Sequence, residues 1–135
     1  MLFRSTVFRE FGPRKRREHV IRPEVARQVA HLMEHAVAHG TGSKARLDDW
    51  VVACKTGTSR RALAGRKGYS EQYFGSFAGF LPAEDPQLAV TVVVFEPTTE
   101  GKQYYGGSAA APAFAEISKA AASVVVPAVF VTERS

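Results

Sequence analysis

Five consecutive residues, Lys55-Thr56-Gly57-Thr58-Ser59, carry the clearest chemical potential in this 135-residue chain. A lysine ammonium and two threonine hydroxyls can hold a carboxylate through charge-assisted hydrogen bonds. Gly57, lacking a side chain, lets another backbone approach closely. The apolar stretch Trp50-Val51-Val52-Ala53-Cys54-Lys55 before them predicts a strand that ends in this motif. A strand edge with unpaired backbone groups can accept an extended peptide as an added strand. On the motif alone, an ordinary strand ending in a polar turn is the favoured reading.

Other reactive residues are few. Cys54 is the single cysteine, so no internal disulfide exists, and a small buried hydrophobe is the expected role. A nucleophile activated by neighbouring Lys55 is the sharper alternative, but no histidine with a partner is placed beside it. His31, His35 and His39 recur at four-residue spacing, which suits two metal ligands on one helix face. No third ligand is identifiable, so solvent-facing histidines are expected and no metal or cofactor is assigned. Cys54 and Asp49 stand where a phosphate loop needs glycines, so Lys55-Thr56 is not read as one.

The elements that must position the motif follow from periodicity and breakers. Pro23 suits a first helical turn, and Val25, Val29, Leu32, Met33, Ala36 and Val37 recur at helical spacing up to Gly40. Further strands are predicted over Tyr73–Phe80 and Leu88–Phe95. The Pro82, Asp85 and Pro86 turn between them favours an antiparallel hairpin. A polar loop, Ser59–Gln72, joins the first two strands. Leu88–Phe95 lacks polar alternation and is expected to be covered on both faces. Ser108 is expected to cap a last helix in which Phe114, Ile117 and Ala121 share a face, with Pro112 in its first turn. The chain divides into a basic, irregular segment 1–19, a body 20–123 and an apolar tail 124–135. Two helices do not suffice to cover such a sheet and the apolar tail, which predicts a further covering element from another chain or from other sequence.

Composition narrows the class. Hydrophobic residues make up 45% and charged residues 23%, as in one globular unit. The net charge of +5 is concentrated in Arg14-Lys15-Arg16-Arg17 and in Arg60, Arg61, Arg66 and Lys67. Neither run is interleaved with aromatic residues, and no zinc-finger or RNA-binding signature is present, so no nucleic-acid partner is expected. No stretch approaches the ~20 apolar residues of a membrane span. Arg4, Arg9 and Glu10 interrupt the apolar residues of the opening, which does not read as an export signal.

The surroundings of Lys-Thr-Gly are more specific than the motif. Gly40-Thr41-Gly42 precedes Trp50. Downstream lie Tyr73-Phe74-Gly75-Ser76-Phe77-Ala78-Gly79-Phe80-Leu81-Pro82, the valine strand ending in Glu96-Pro97, Tyr104-Tyr105-Gly106-Gly107, and Ala110-Ala111-Pro112-Ala113-Phe114. This ordered set resembles the C-terminal part of the transpeptidase domain of class B penicillin-binding proteins, the septal D,D-transpeptidases of cell division, over about Val20 to Ala122. The resemblance implies an α+β fold of the serine β-lactamase/transpeptidase type, here partial, with three antiparallel strands flanked by helices. It implies that Lys55, Thr56, Gly57 and Thr58 bind the terminal carboxylate of a D-Ala-D-Ala stem peptide or of a β-lactam, and that the Thr58 backbone N–H supplies part of an oxyanion hole. It also implies a periplasmic or extracytoplasmic setting, with the upstream part of the same domain as partner and cell-division proteins as further ones.

Two family elements are missing. None of the six lysines has serine three residues before it, which excludes Ser-x-x-Lys, and the chain contains no asparagine, which excludes Ser-x-Asn. Covalent catalysis needs a nucleophile beside a base. The chain by itself is therefore expected not to acylate. The alternative reading is a truncated, inactive binding module that recognises a peptide or partner through its sheet edge. Cys54 is a further departure, standing where the family usually has glycine.

Overall fold

Pro23, with its backbone angle already near the helical value, opens helix α1 (Pro23–His39) in the computed structural model, which describes residues 20–63, 65, 67–97 and 104–126. The helix stops at Gly40 because the chain folds back over its last turn. Both Gly40 and Gly42 donate their N–H to the Ala36 carbonyl, and a Cβ on Gly40 would lie 2.9 Å from that oxygen. After a single 3-10 turn at Ser43–Ala45 come strands β1 (Ala53–Ala62), β2 (Tyr69–Leu81) and β3 (Leu88–Phe95), then the one-turn helix α2 (Gly106–Ala109) and helix α3 (Ala111–Val125). The strands form one antiparallel sheet in the order β1-β2-β3. The α+β architecture of three antiparallel strands flanked by helices is thus as the sequence implied.

Register sorts the side chains of the sheet onto two faces. Thr56 pairs with Phe77 and Phe77 with Val92, whereas Lys55 pairs with Ala78 and Ala78 with Thr91. Strand alternation then places Cys54, Thr56 and Thr58 on the face of Phe77 and Leu81, and Lys55 and Gly57 on the face of Val93 and Phe95. The first face is covered by α2 and α3. Phe77, Phe114, Leu81 and Cys54 are fully buried there, and the Phe77 and Phe114 rings lie 4.7 Å apart. Gly79 makes this approach possible, since a Cβ on it would come within 2.8 Å of the Phe114 ring and 2.7 Å of the Ala53 carbonyl.

The second face has no covering element among the described residues. Leu88–Phe95 alternates half-buried and exposed positions, with Val93 45% and Phe95 70% exposed, so the expectation that β3 is covered on both sides is corrected. Both described helices after β3 sit on one side. Among the described residues nothing packs against its outer face, which carries Val93 and Phe95.

Other boundaries shift for physical reasons. The motif lies inside β1 rather than at its end, because the ladder with β2 continues to the Ala62–Tyr69 pair, past an irregularity between Arg60 and Ala62. Polar residues remain compatible with a strand where both faces are wet. The true turn is short, closed by the Leu63 N–H donating to the Gly68 carbonyl, with Gly65 and Gly68 at φ of 74° and 121°. Ser108 does not cap α3: it lies within α2, and Ala110 precedes α3 with no side-chain cap. On α3 the buried residues are Ala111, Phe114, Ser118 and Ala122, so Ile117, 50% exposed, is not on the buried face with Phe114. On α1 only Val37 is buried, while Val29 and Leu32 face solvent. Segment 1–19, Arg66 and tail residues 127–135 lie outside the described residues; α3 takes in the first apolar residues assigned to the tail, Val124 and Val125.

Candidate carboxylate-binding site

The start of β1 is closed and its continuation open. Val52, Ala53 and Cys54 are buried, whereas Lys55, Thr58, Ser59 and Arg60 are exposed. Closure comes from the Gly40–Gly42 loop, whose Gly42 rests on Cys54 so closely that a Cβ there would overlap the sulfur. The partner of β1 among the described residues is β2, and its opposite edge has no strand against it among those residues. The sulfur of Cys54 is fully enclosed; burial pushes the thiol up to about 11, against a smaller opposing effect of Lys55. A thiol with that acidity is not a nucleophile near neutral pH, which removes the reactive reading.

Thr56 and Thr58 look from the covered side of the edge into a cleft of about 300 Å3. Its walls include Thr41, Lys44, Tyr105, Gly107 and Ser108. The hydroxyls of Thr41 and Thr56 stand 3.1 Å apart. The Thr58 hydroxyl accepts a hydrogen bond from the Gly106 N–H at 3.3 Å. Gly106 is buried against the Gly57 backbone, and Gly107 against the Thr41 carbonyl, approaches that a Cβ would prevent. Three segments far apart in sequence, Gly40-Thr41-Gly42, the Lys55 motif and Tyr105-Gly106-Gly107, therefore meet around one small polar cleft.

Lys55 does not line this cleft. Its side chain leaves from the other, uncovered face, is exposed, and donates from Nζ to the Thr56 carbonyl at 2.5 Å. The cation that does line the cleft is Lys44, which the sequence reading left unassigned. In the sequence Thr41 and Tyr105 stand out only as context for the motif. Their contribution was legible as two glycine-flanked segments, Gly-Thr-Gly and Tyr-Gly-Gly, each suited to close backbone packing.

A larger hollow of about 760 Å3 lies between α1 and the 46–52 stretch, with His31, Glu34, Asp49, Trp50 and Glu84 on its walls. It holds none of the motif residues, so chemistry rather than size selects the smaller cleft. His31 pairs with Glu34 at 3.4 Å, and the His35 and His39 rings lie 4.7 Å apart. Among the described residues no group of three metal-binding side chains gathers.

Comparisons with known proteins bear on the family and the fold. Residues 2–119 match the model of the penicillin binding protein transpeptidase domain. A probable peptidoglycan D,D-transpeptidase, PenA of Neisseria flavescens, is 37% identical over 107 residues, 78% of this chain and 26% of the relative. The peptidoglycan D,D-transpeptidase FtsI of Escherichia coli is 37% identical over 102 residues, 74% of this chain and 17% of the relative. The transpeptidase domain of Burkholderia pseudomallei penicillin-binding protein 3, solved in apo form, superposes with a TM-score of 0.66 at 34% identity, over 79% of this chain and 32% of that one. The chain thus spans 26% or less of the length of these two relatives. With sequence, fold and motif context in agreement over most of its length, the chain belongs to the penicillin-binding protein transpeptidase domain family.

Proposed function

We propose that this chain is the carboxylate-binding part of a peptidoglycan D,D-transpeptidase, with the nucleophile supplied by polypeptide outside the 135 residues. The observation that carries the proposal is the division of the motif across the β1 edge. Thr56 and Thr58 open into the cleft on the covered side, while Lys55 projects from the bare, partly apolar side. An apolar sheet face with no covering element among the described residues calls for one. The element that covers it would meet Lys55, which fits a nucleophile-bearing upstream segment of the same domain.

In this arrangement the hydroxyls of Thr56 and Thr58, with Lys44 nearby, bind the terminal carboxylate of a D-Ala-D-Ala stem peptide or of a β-lactam. Lys55 contributes positive charge toward the covering segment. The Thr58 backbone N–H donates to the oxygen that becomes negative in acyl transfer, the interaction of largest leverage in such chemistry. The proton transfers and the covalent step belong to the serine and lysine of the covering segment. Peptidoglycan cross-linking places the assembly on the extracytoplasmic side, and the division role of the FtsI relative extends to this chain as part of the proposal.

The test is binding of a synthetic peptide ending in D-Ala-D-Ala, followed by nuclear magnetic resonance titration. The free carboxylate should perturb Thr41, Thr56 and Thr58, and the C-terminal amide of the same peptide should not. Equal perturbation by both would contradict the proposal. The second reading, a binding module without enzymatic partner, predicts the same titration but no gain of acylation when an upstream segment is added.

A further inference from the structure

Cys54 and Thr56 are two residues apart on the covered face of β1, a separation of about 7 Å along a strand. Thr56 opens into the cleft, whereas Cys54 is fully buried beneath the turn that carries Thr41. Gly42 of that turn is held from two sides. Its N–H donates to the Ala36 carbonyl at the end of α1 at 3.0 Å, and its other side rests on the Cys54 sulfur with no room for a Cβ. The turn is thus a step wedged between α1 and β1, and the sulfur is what it stands on.

Thr41 sits on that step. Its hydroxyl lies 3.1 Å from the Thr56 hydroxyl, and its carbonyl packs against Gly107 on the opposite wall. Hydroxyl-to-hydroxyl bonds normally span about 2.5–3.0 Å, so the Thr41–Thr56 pair has little slack. A larger side chain at position 54 would lift Gly42 and carry Thr41 with it. A smaller one would leave a void into which the turn can settle. Either displacement changes the spacing of two hydroxyls in the cleft.

Resting on the cleft reading above, we propose that Cys54 is a positioning residue for carboxylate recognition: its sulfur sets the height of the Gly40–Gly42 turn and thereby the spacing of the Thr41 and Thr56 hydroxyls. A side chain that never touches the ligand then determines how well the cleft holds it.

Titration of a peptide ending in D-Ala-D-Ala into the full 135-residue chain and its variants, followed by nuclear magnetic resonance, tests this. Cys54→Ser is closest in size and should bind nearly as the unaltered chain does, even where its buried hydroxyl lowers stability. Cys54→Ala and Cys54→Val should each bind roughly threefold to tenfold more weakly, the range of one neutral hydrogen bond. Ile117→Ala, a destabilising change on α3 away from the cleft, should leave the affinity unchanged, which separates positioning from a general loss of stability. In a Thr41→Val background, Cys54→Ala and Cys54→Val should cause no further loss, because position 54 acts through Thr41. Should Cys54→Val not fold, Cys54→Ala carries the same test. Unchanged affinity in Cys54→Ala, a loss in Cys54→Ser as large as that in Cys54→Ala, or losses that add in full to that of Thr41→Val would overturn the positioning role. If the peptide acid still binds better than its C-terminal amide while the Cys54 variants bind normally, only this role falls. If acid and amide bind the unaltered chain alike, the cleft reading and this one fall together.

Discussion

The Thr58 hydroxyl and the Gly106 N–H, 48 positions apart in sequence, meet at 3.3 Å. That contact joins the motif strand to the turn that opens α2 and fixes one wall of the cleft. Gly106 can reach it because nothing stands between its Cα and the backbones of Gly57 and Ser76.

Gly106→Ala should therefore damage both stability and the cleft. The new methyl would be driven against the Ser76 and Gly57 carbonyls, backbone atoms that cannot step aside. Overpacking of this kind costs about 1–3 kcal/mol. A urea titration should show a lowered midpoint with an unchanged slope. Gly65→Ala, a substitution with nothing within 4 Å but a φ of 74°, should cost about 1–2 kcal/mol from backbone strain alone and leave the cleft intact.

Phe114→Ala should be the most damaging of the single core truncations on α3. The ring is fully buried and lies over Gly79, 4.7 Å from the Phe77 ring. A loss of about 3–5 kcal/mol is expected, much of the stability of a domain this size. Ile117→Ala, at a half-exposed site on the same helix, should cost well under half as much in the same denaturation assay.

Cys54 should resist alkylation by iodoacetamide in the native chain up to about pH 9 and react at once in denaturant. Burial raises the thiol from 9.0 to about 11, with Lys55 opposing. The unfolded thiol therefore loses its proton first as pH rises. The stability tied to this group is fully present below pH 9 and is lost progressively between pH 9 and 11, up to roughly 2–3 kcal/mol at 1.36 kcal/mol per unit. Rapid modification of the folded chain at pH 7 would contradict the buried placement.

The bare sheet face should respond differently. Val93→Thr replaces an exposed apolar side chain and should change stability by less than about 0.5 kcal/mol. It should reduce self-association in sedimentation measurements, because the exposed apolar face of β3 is what other surfaces would adhere to. If the proposed covering segment docks there, the same change should weaken its binding.

What the sequence disclosed depended on how local the determining physics was. Pro23 and Gly40 bound α1 because a fixed φ and a chain reversal act within one turn, and Leu88–Phe95 emerged at its true limits from β-branched residues between turns. The motif residues were legible from spacing. Strand alternation sets Lys55 apart from Cys54, but which face is covered depends on where the helices pack, and reading Ser59–Gln72 as a polar loop hid the continuation of the β1–β2 ladder to Ala62 and Tyr69. The covered and bare faces of β3 look alike in a run of valines, and only the placement of α3 distinguishes them. Lys44 was illegible for a similar reason: it enters the cleft through a loop whose path depends on Gly42 resting on Cys54.

Covalent labelling by a fluorescent penicillin tests the central claim most directly. The chain alone should remain unlabelled, and addition of the Ser-x-x-Lys-bearing N-terminal segment of a family transpeptidase domain should produce label on that segment, at a rate that falls with Thr58→Val in this chain. Stoichiometric label on the isolated chain, or labelling of the mixture that is indifferent to Thr58→Val, would contradict the account.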